Sequence, residues 1–440
     1  MSATVRAVGG DRQVPAPDPF ARDYLLLALR LDARIPGLVD GFFGPAELKA
    51  TVDTEQLCPP ARLVDDAADV LARLDAEVSD PARREWLRVQ VVALETHARA
   101  LAGEALPYLD HVVRCFDVEP RRRPEAEFEA AAAKIDHHLP GPGDLPDRLA
   151  AWDDRLVVSP DRLPPILDWL VARFRTRAGA TFGLPEGEDL RVSLVTGQPW
   201  SGYNWYDGGL RSRVDLNTDL PIRAPDLLGV MSHETYPGHH LEHAWKEAGL
   251  VTRQSRLEAS VLLINAPECL ISEGLAEVGR RFAIPASDEV DLLVELFARA
   301  ALPLAADPVE ARAVAEVAAA IRAPRAALRA VDVNAALLRH VDGVAHDDVR
   351  AYLKRLALLT PQRAEKKLEF IEHPLWRTYT FVYTEGTALL ERWLAGIAAD
   401  AQAARFRRLL VEQVTPSGIA AEIAADDAAR DTEPSAAPAG

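Results

Sequence analysis

Four of the eleven histidines in this chain, His233, His239, His240 and His243, fall in one short stretch that begins His233-Glu234-Thr235-Tyr236-Pro237-Gly238-His239-His240. Neutral imidazoles beside a carboxylate form the donor set that zinc prefers. A glutamate next to a ligand histidine can in turn take a proton from a water molecule. The stretch therefore points to metal-assisted hydrolysis around one Zn2+ ion, with His233 as a ligand and Glu234 as general base.

The spacing is not that of an ordinary zinc helix. In an HExxH motif the two histidines are four residues apart and share one helical face. Here His239 lies six residues beyond His233, and His240 seven, which on an unbroken helix is roughly 9 to 10 Å along the axis. Both could not then bind one ion at ~2.1 Å. Pro237 removes a backbone donor and Gly238 tolerates unusual dihedrals, so the helix can break between them and bring the second histidine back. The Gly-His order favours His239 as second ligand, with His240 as the alternative. A rival geometry pairs His239 with His243, already four apart, but strands Glu234 beyond the break.

A third ligand should be a carboxylate. Glu273 in Ser272-Glu273-Gly274-Leu275-Ala276-Glu277 is the best placed on an expected helix, with Glu268 in reserve. Glu277, one turn on, can hold the far nitrogen of a ligand histidine. Hydrolysis also needs a donor for the developing oxyanion. The segment from His373 to Gly386 offers His373, Tyr379 and Tyr383, the two tyrosines four apart. Arg377 can bind a substrate carboxylate, with Arg213 and Arg211 as rivals.

The elements that must position these groups read as mainly helical. Apolar residues recur at helical spacing from Phe20 to about Phe182 and again from Pro221 to about Gln413, with breaks expected near Pro285, Pro303, Gly343 and Pro361. Leu190 to Val195 and Ser212 to Asn217 alternate with period two and read as short strands, separated by an aromatic, turn-rich loop from Trp200 to Gly209 that contains Tyr203. A small hairpin or sheet beside the metal helix follows. Residues 1–19 and 425–440 read as disordered tails, leaving 20–424 as one helical catalytic domain, with 20–182 and 183–424 as two lobes about a cleft.

Composition narrows the function classes. A net charge of −17 disfavours nucleic acid, and no apolar run approaches the ~20 residues that span a bilayer. The first residues lack the apolar core of a secretory signal, so a cytoplasmic location is expected. Cys58, Cys115 and Cys269 are odd in number and far apart, which argues against disulfides and for small buried side chains.

HETYPGHH, SEGLAE, PWSGYNWY, SRVDLNTDLP and YTFVYTEG together resemble the bacterial domain-of-unknown-function family numbered 885, over most of the chain. That family is similar to thermostable zinc carboxypeptidases and, more distantly, to thimet-type oligopeptidases. The resemblance implies a large helical fold with a deep central cleft and a short sheet beside the metal helix. It also implies His233, His239 and Glu273 as ligands, Glu234 as base, Tyr379 or Tyr383 as oxyanion donor, and an edge strand near Asn217 along the cleft. The chain departs from the carboxypeptidases in having HExxPGHH where they have HExxH.

The expected activity is that of a metallocarboxypeptidase or short-peptide peptidase. Tyr203, Asn217, Arg213 and Arg377 are expected at the substrate, a short peptide or small molecule. The alternatives are a metal-dependent enzyme acting on a non-peptide amide or small metabolite, and an inactive helical binding protein with a structural metal. A homodimer is compatible with either.

Overall fold

The computed structural model describes residues 16–198 and 200–432. Its first layer is α1 (Pro19–Asp32), β1 (Val39–Phe42), α2 (Ala46–Thr54), α3 (Pro60–Glu77) and α4 (Pro81–Leu101). Aspartates start two of these helices: Asp18 accepts from Ala21 N at 2.7 Å and Asp80 from Arg83 N at 2.9 Å. In each a proline follows in the first turn, where its missing N–H costs nothing. Next come α5 (Tyr108–Phe116), α6 (Glu125–His138), α7 (Leu145–Asp154) and α8 (Leu163–Phe182).

The chain then forms β2 (Asp189–Val195), β3 (Gly202–Gly208) and β4 (Arg211–Asn217). They make one sheet in the order β2-β4-β3, with β2 parallel and β3 antiparallel to β4. The site helices follow: α9 (Ala224–Glu234), α10 (His239–Lys246) and, after β5 (Val261–Leu263), α11 (Pro267–Ala283). The rest is helical: α12 (Glu289–Arg299), α13 (Pro308–Leu328), α14 (Val331–His340), α15 (His346–Leu356), α16 (Pro361–Glu372), α17 (Val382–Leu394), α18 (Ala399–Val411) and α19 (Pro416–Thr432). The protein is mainly α with small sheets, as its periodicity implies. No helix among the described residues is long and apolar enough to cross a membrane.

Three local expectations need correction. The stretch from Trp200 to Gly209 is mostly strand, because alternate residues Asn204 and Tyr206 turn inward and are buried against the site helices. Within the helical first half, β1 pairs antiparallel with β5, Val39 opposite Leu263, and so ties the first layer to the segment that leads into α11. The expected C-terminal tail is helical as far as Thr432, where Ile419 and Ile423 bury one face of α19. Asp18 and Pro19 likewise belong to the start of α1, while residues 1–15 and 433–440 lie outside the described residues.

Two hydrophobic clusters make up the interior. One joins α1, α3 and α4 to residues 251–266; the other runs from α5 through α8 and α9 to α19. The apolar interior thus divides near residue 100, and α5 to α8 share a core with the C-terminal half rather than forming a lobe with α1 to α4.

Candidate metal centre

Helix α9 ends at Glu234, and Thr235 leaves helical dihedrals at φ −115°, ψ −95°. The chain doubles back so tightly that a Cβ at position 238 would fall 1.8 Å from the carbonyl oxygen of His233. Only glycine fits there. The turn is closed by Gly238 N to Ser232 O at 3.2 Å and Leu241 N to Thr235 O at 3.3 Å, after which α10 begins with His239. A six-residue separation is thereby folded into contact: His239 Nε2 lies 3.1 Å from His233 Nε2.

Glu273, from the middle of α11, reaches the same point. Its Oε2 lies 3.2 Å from His233 Nε2 and 3.8 Å from His239 Nε2. That oxygen is buried without a sound hydrogen bond, so the approach is a convergence of lone pairs on a shared point. A tetrahedral zinc ion with ligands at about 2.0–2.1 Å needs donors about 3.3–3.4 Å apart, and the three edges bracket that value. The donor chemistry and the orphaned oxygen both fit a small divalent cation.

The surroundings hold each donor in place. His239 Nδ1 lies 3.1 Å from Ser272 Oγ, which donates at 2.5 Å to Glu242 Oε2. Glu242 is itself fixed by Lys246 Nζ at 2.6 Å. Glu273 Oε1 accepts from the Tyr379 phenol at 2.8 Å. Burial pushes the Glu273 carboxyl up, but the adjacent imidazoles of His233 and His239 prevail and hold it well below the usual carboxylate range. Glu277 makes a two-pronged pair with Arg329 at 2.8 and 3.0 Å. It is left 3.9 Å from His233 Nδ1, so the hydrogen bond expected between them is not formed.

Glu234 is buried beside this point. Its own carbonyl accepts from Asn204 Nδ2 at 2.7 Å, and a Cβ on Gly202 would meet its Oε1 at 3.7 Å, so β3 lies directly along the end of α9. No side-chain or backbone donor among the described residues bonds to the Glu234 carboxylate. Burial raises its pKa, opposed by His233 and His239 and reinforced by Glu273 and Glu277.

The tyrosines arrive on a separate element. Gly274 and Gly386 bring α11 and α17 into backbone contact, since a Cβ on Gly274 would lie 2.6 Å from Gly386 C and one on Gly386 2.3 Å from Leu270 O. Tyr379 sits in a short 3-10 turn before α17, buried, while Tyr383 opens α17 and is 38% exposed with its ring 5.6 Å from that of Tyr379. They meet edge to face, although they do not share one helix.

Several sequence expectations are redirected. His240 is fully buried away from the other two histidines, with Nε2 2.8 Å from Glu188 Oε2 and Nδ1 2.8 Å from Ser212 Oγ. His243 stacks 5.9 Å from His239, and the neighbouring Glu242 is already committed to Lys246 and Ser272. Glu268 is taken by Lys246 and by Trp86 Nε1 at 2.6 Å. His373 is exposed, and its Nδ1 accepts from Leu375 N at 3.2 Å. Arg377 is directed to α5, 3.0 Å from His111 Nδ1 and over the Tyr108 ring. Arg213 is held by Asp215 at 3.2 Å and lies over Trp205. Asn217 ends β4, the central strand of its sheet and not the expected edge strand, and its amide nitrogen donates to Gln198 O and Trp200 O, bracing the loop between β2 and β3. Of the cysteines, only Cys115 is fully buried; Cys269 Sγ lies 3.7 Å from the Tyr379 phenol.

Three neighbours escaped the sequence reading: Ser272, Glu242 and Asp40. The first two sit one and three positions from assigned ligands and could have been flagged by that adjacency. Asp40, on β1, is bonded by the Tyr203 phenol and lies within electrostatic reach of His239, Glu273 and Glu234. Nothing in its local sequence marks it.

No family model matches the chain, and no curated protein matches it. A solved structure does: the chain is similar in fold to "the putative lipoprotein from Colwellia psychrerythraea", at 14% identity and a TM-score of 0.51, over 94% of this chain and 77% of that one.

Proposed function

We propose that this protein is a metal-dependent hydrolase of amide bonds, with short peptides as substrates, and that it belongs with the HExxPGHH proteins of family 885 that it resembles. The carrying observation is the convergence of His233 Nε2, His239 Nε2 and the orphaned Glu273 Oε2 on one point beside the buried Glu234. The Colwellia chain contributes the fold alone to this reading. His233, His239 and Glu273 would hold the ion, zinc by donor chemistry. When bound, it supplies Lewis-acid polarisation of a carbonyl and acidifies a water toward neutrality.

The chain's own groups divide the remaining work. Glu234 takes the proton of the attacking water at its carboxylate and can pass it to the leaving amine. Tyr383, exposed at the edge of the site, offers its phenol to the developing oxyanion. Tyr379, already committed to Glu273 Oε1, fixes that ligand's orientation. The edge strand β3, packed along Glu234, would wall one side of the substrate's site.

The reading is tested by incubating the purified protein with a mixed short-peptide library before and after chelator treatment. Cleavage that stops on metal removal and returns with zinc is the expected result. Cleavage indifferent to chelator contradicts the proposal, as does a zinc-loaded protein that cuts no peptide.

A further inference from the structure

The cations around the site are all partnered, whereas two of its carboxylates have no cation among the described residues. Arg213 is taken by Asp215 and Trp205, Arg377 by His111 and Tyr108, Arg329 by both oxygens of Glu277, and Lys246 by Glu242 and Glu268. Among the described residues near the site, none of these is left to receive a substrate carboxylate. The acids differ. Neither Asp40 nor Glu234 has an ion-pair partner among the described residues, and Glu234 has a separate task.

Asp40 lies within electrostatic reach of His239, Glu273 and Glu234. Strand β1 carries it between β5, which leads into α11, and the neighbouring edge strand β3. Its Oδ1 accepts from the Tyr203 phenol, and no second donor among the described residues meets the carboxylate. Tyr203 follows Gly202, the residue against which Glu234 lies, so Asp40 and the general base flank the same short piece of β3. The Tyr203 ring lies 5.3 Å from Trp200 and 4.5 Å from Trp205, an aromatic wall whose faces also attract cations.

We propose that Asp40, oriented by Tyr203, receives the free ammonium group of the substrate, so that the enzyme reads the amino end of short unblocked peptides rather than their carboxyl end. This rests on the hydrolase reading above and sets its direction, against the carboxypeptidase expectation. An ammonium in hydrogen-bond contact with a half-buried carboxylate gains a charge-assisted bond, whereas a substrate carboxylate placed there meets like charge. Burial pushes the Asp40 carboxyl up to about 7, opposed by His239 and reinforced by Glu273 and Glu234, as expected of an acid that lacks a cation.

Three probes decide the point on the purified full chain by calorimetry: alanyl-phenylalanine amide, its N-acetylated form, and N-acetyl-alanyl-phenylalanine with a free carboxylate. The free amine should bind tightest, and Asp40→Asn should weaken it about 10- to 100-fold while leaving the two blocked probes unchanged. Tyr203→Phe should weaken the free amine less. Should Asp40→Asn fail to fold by circular dichroism, the ranking of probes on wild type still decides. Equal binding of free and acetylated amides, preference for the free carboxylate, equal weakening of all three, or no binding at all each overturns the proposal. Discrimination without cleavage keeps it and removes the hydrolase reading; cleavage of blocked and unblocked peptides alike does the reverse.

Discussion

Among the described residues three groups of side chains have the residue types and closeness of a metal site. One, His239 with Glu242 and His243, shares its first histidine with the candidate centre and has Glu242 committed to Lys246 and Ser272; of the other two only one has the surroundings. His233, His239 and Glu273 form one; His97, His111 and Cys115 form the other, and in each the donor atoms lie within 4.8 Å of one another. The second is sealed in the interior, with His97 Nε2 on the Asn265 carbonyl at 3.1 Å and His111 Nδ1 accepting from Arg377 at 3.0 Å. Burial drives His111 down to about 3, with His97, Arg377 and Arg114 adding to it, and pushes the Cys115 thiol up to about 12 against the pull of the same arginines. Burial disfavours the thiolate there, and a cation would enter beside two guanidinium groups. Around the first group the field has the opposite sign, with Glu234, Asp40 and Glu277 nearby and one Glu273 oxygen unsatisfied. Donor types nominate a site; the charge around them and the bonds they already have decide it.

The largest effects should come from the residues proposed to hold the metal. His233→Ala should weaken zinc binding by more than about 100-fold, beyond the 10- to 100-fold cost of losing an outer partner, with peptide cleavage lost in parallel. Glu234→Gln should keep the metal and lower kcat/KM by about 100- to 10,000-fold. Tyr383→Phe should lower kcat by about 10- to 1,000-fold with little change in KM or metal content, whereas Tyr379→Phe should show itself in metal affinity first.

Smaller effects sharpen the contrast from the other side. His97→Ala should leave metal and activity intact and cost about 1–3 kcal/mol of stability, read by urea unfolding, because it orphans a buried carbonyl. Glu188→Gln tests the fate of His240. Burial raises the Glu188 carboxyl, but hydrogen bonds from His240 and Tyr236 prevail and hold it below its ordinary value. Its contribution, about 1–3 kcal/mol, is present above the ordinary carboxylate pKa and lost as pH falls through the depressed one. The stability gap between wild type and Glu188→Gln should therefore narrow on acidification; a gap that widens contradicts the assignment.

Much of the helix pattern was legible because long amphipathic segments end at prolines and glycines: α11 stops before Pro285, Gly343 separates α14 from α15, and α16 starts at Pro361. The break at Pro237 and Gly238 was legible too, because no unbroken helix could bring His239 to His233. What could not be read was tertiary. His373 and Arg377 stand near Tyr379 in sequence, but the irregular segment before the 3-10 turn sends them outward and toward α5. Glu277 has the spacing of a histidine partner, yet Arg329, distant in sequence, claims it. The Trp200–Gly209 stretch carries turn residues and aromatics, and only its packing on α9 and α10 makes it a strand. Asp40 reaches the site through pairing of β1 with β5, a register that no local pattern announces.

The most direct test of the central claim is metal content, measured by elemental analysis, of purified wild type beside His233→Ala and His97→Ala. Wild type and His97→Ala should each hold about one zinc per chain and His233→Ala almost none. Zinc retained by His233→Ala, or lost from His97→Ala while His233→Ala keeps it, would contradict the claim.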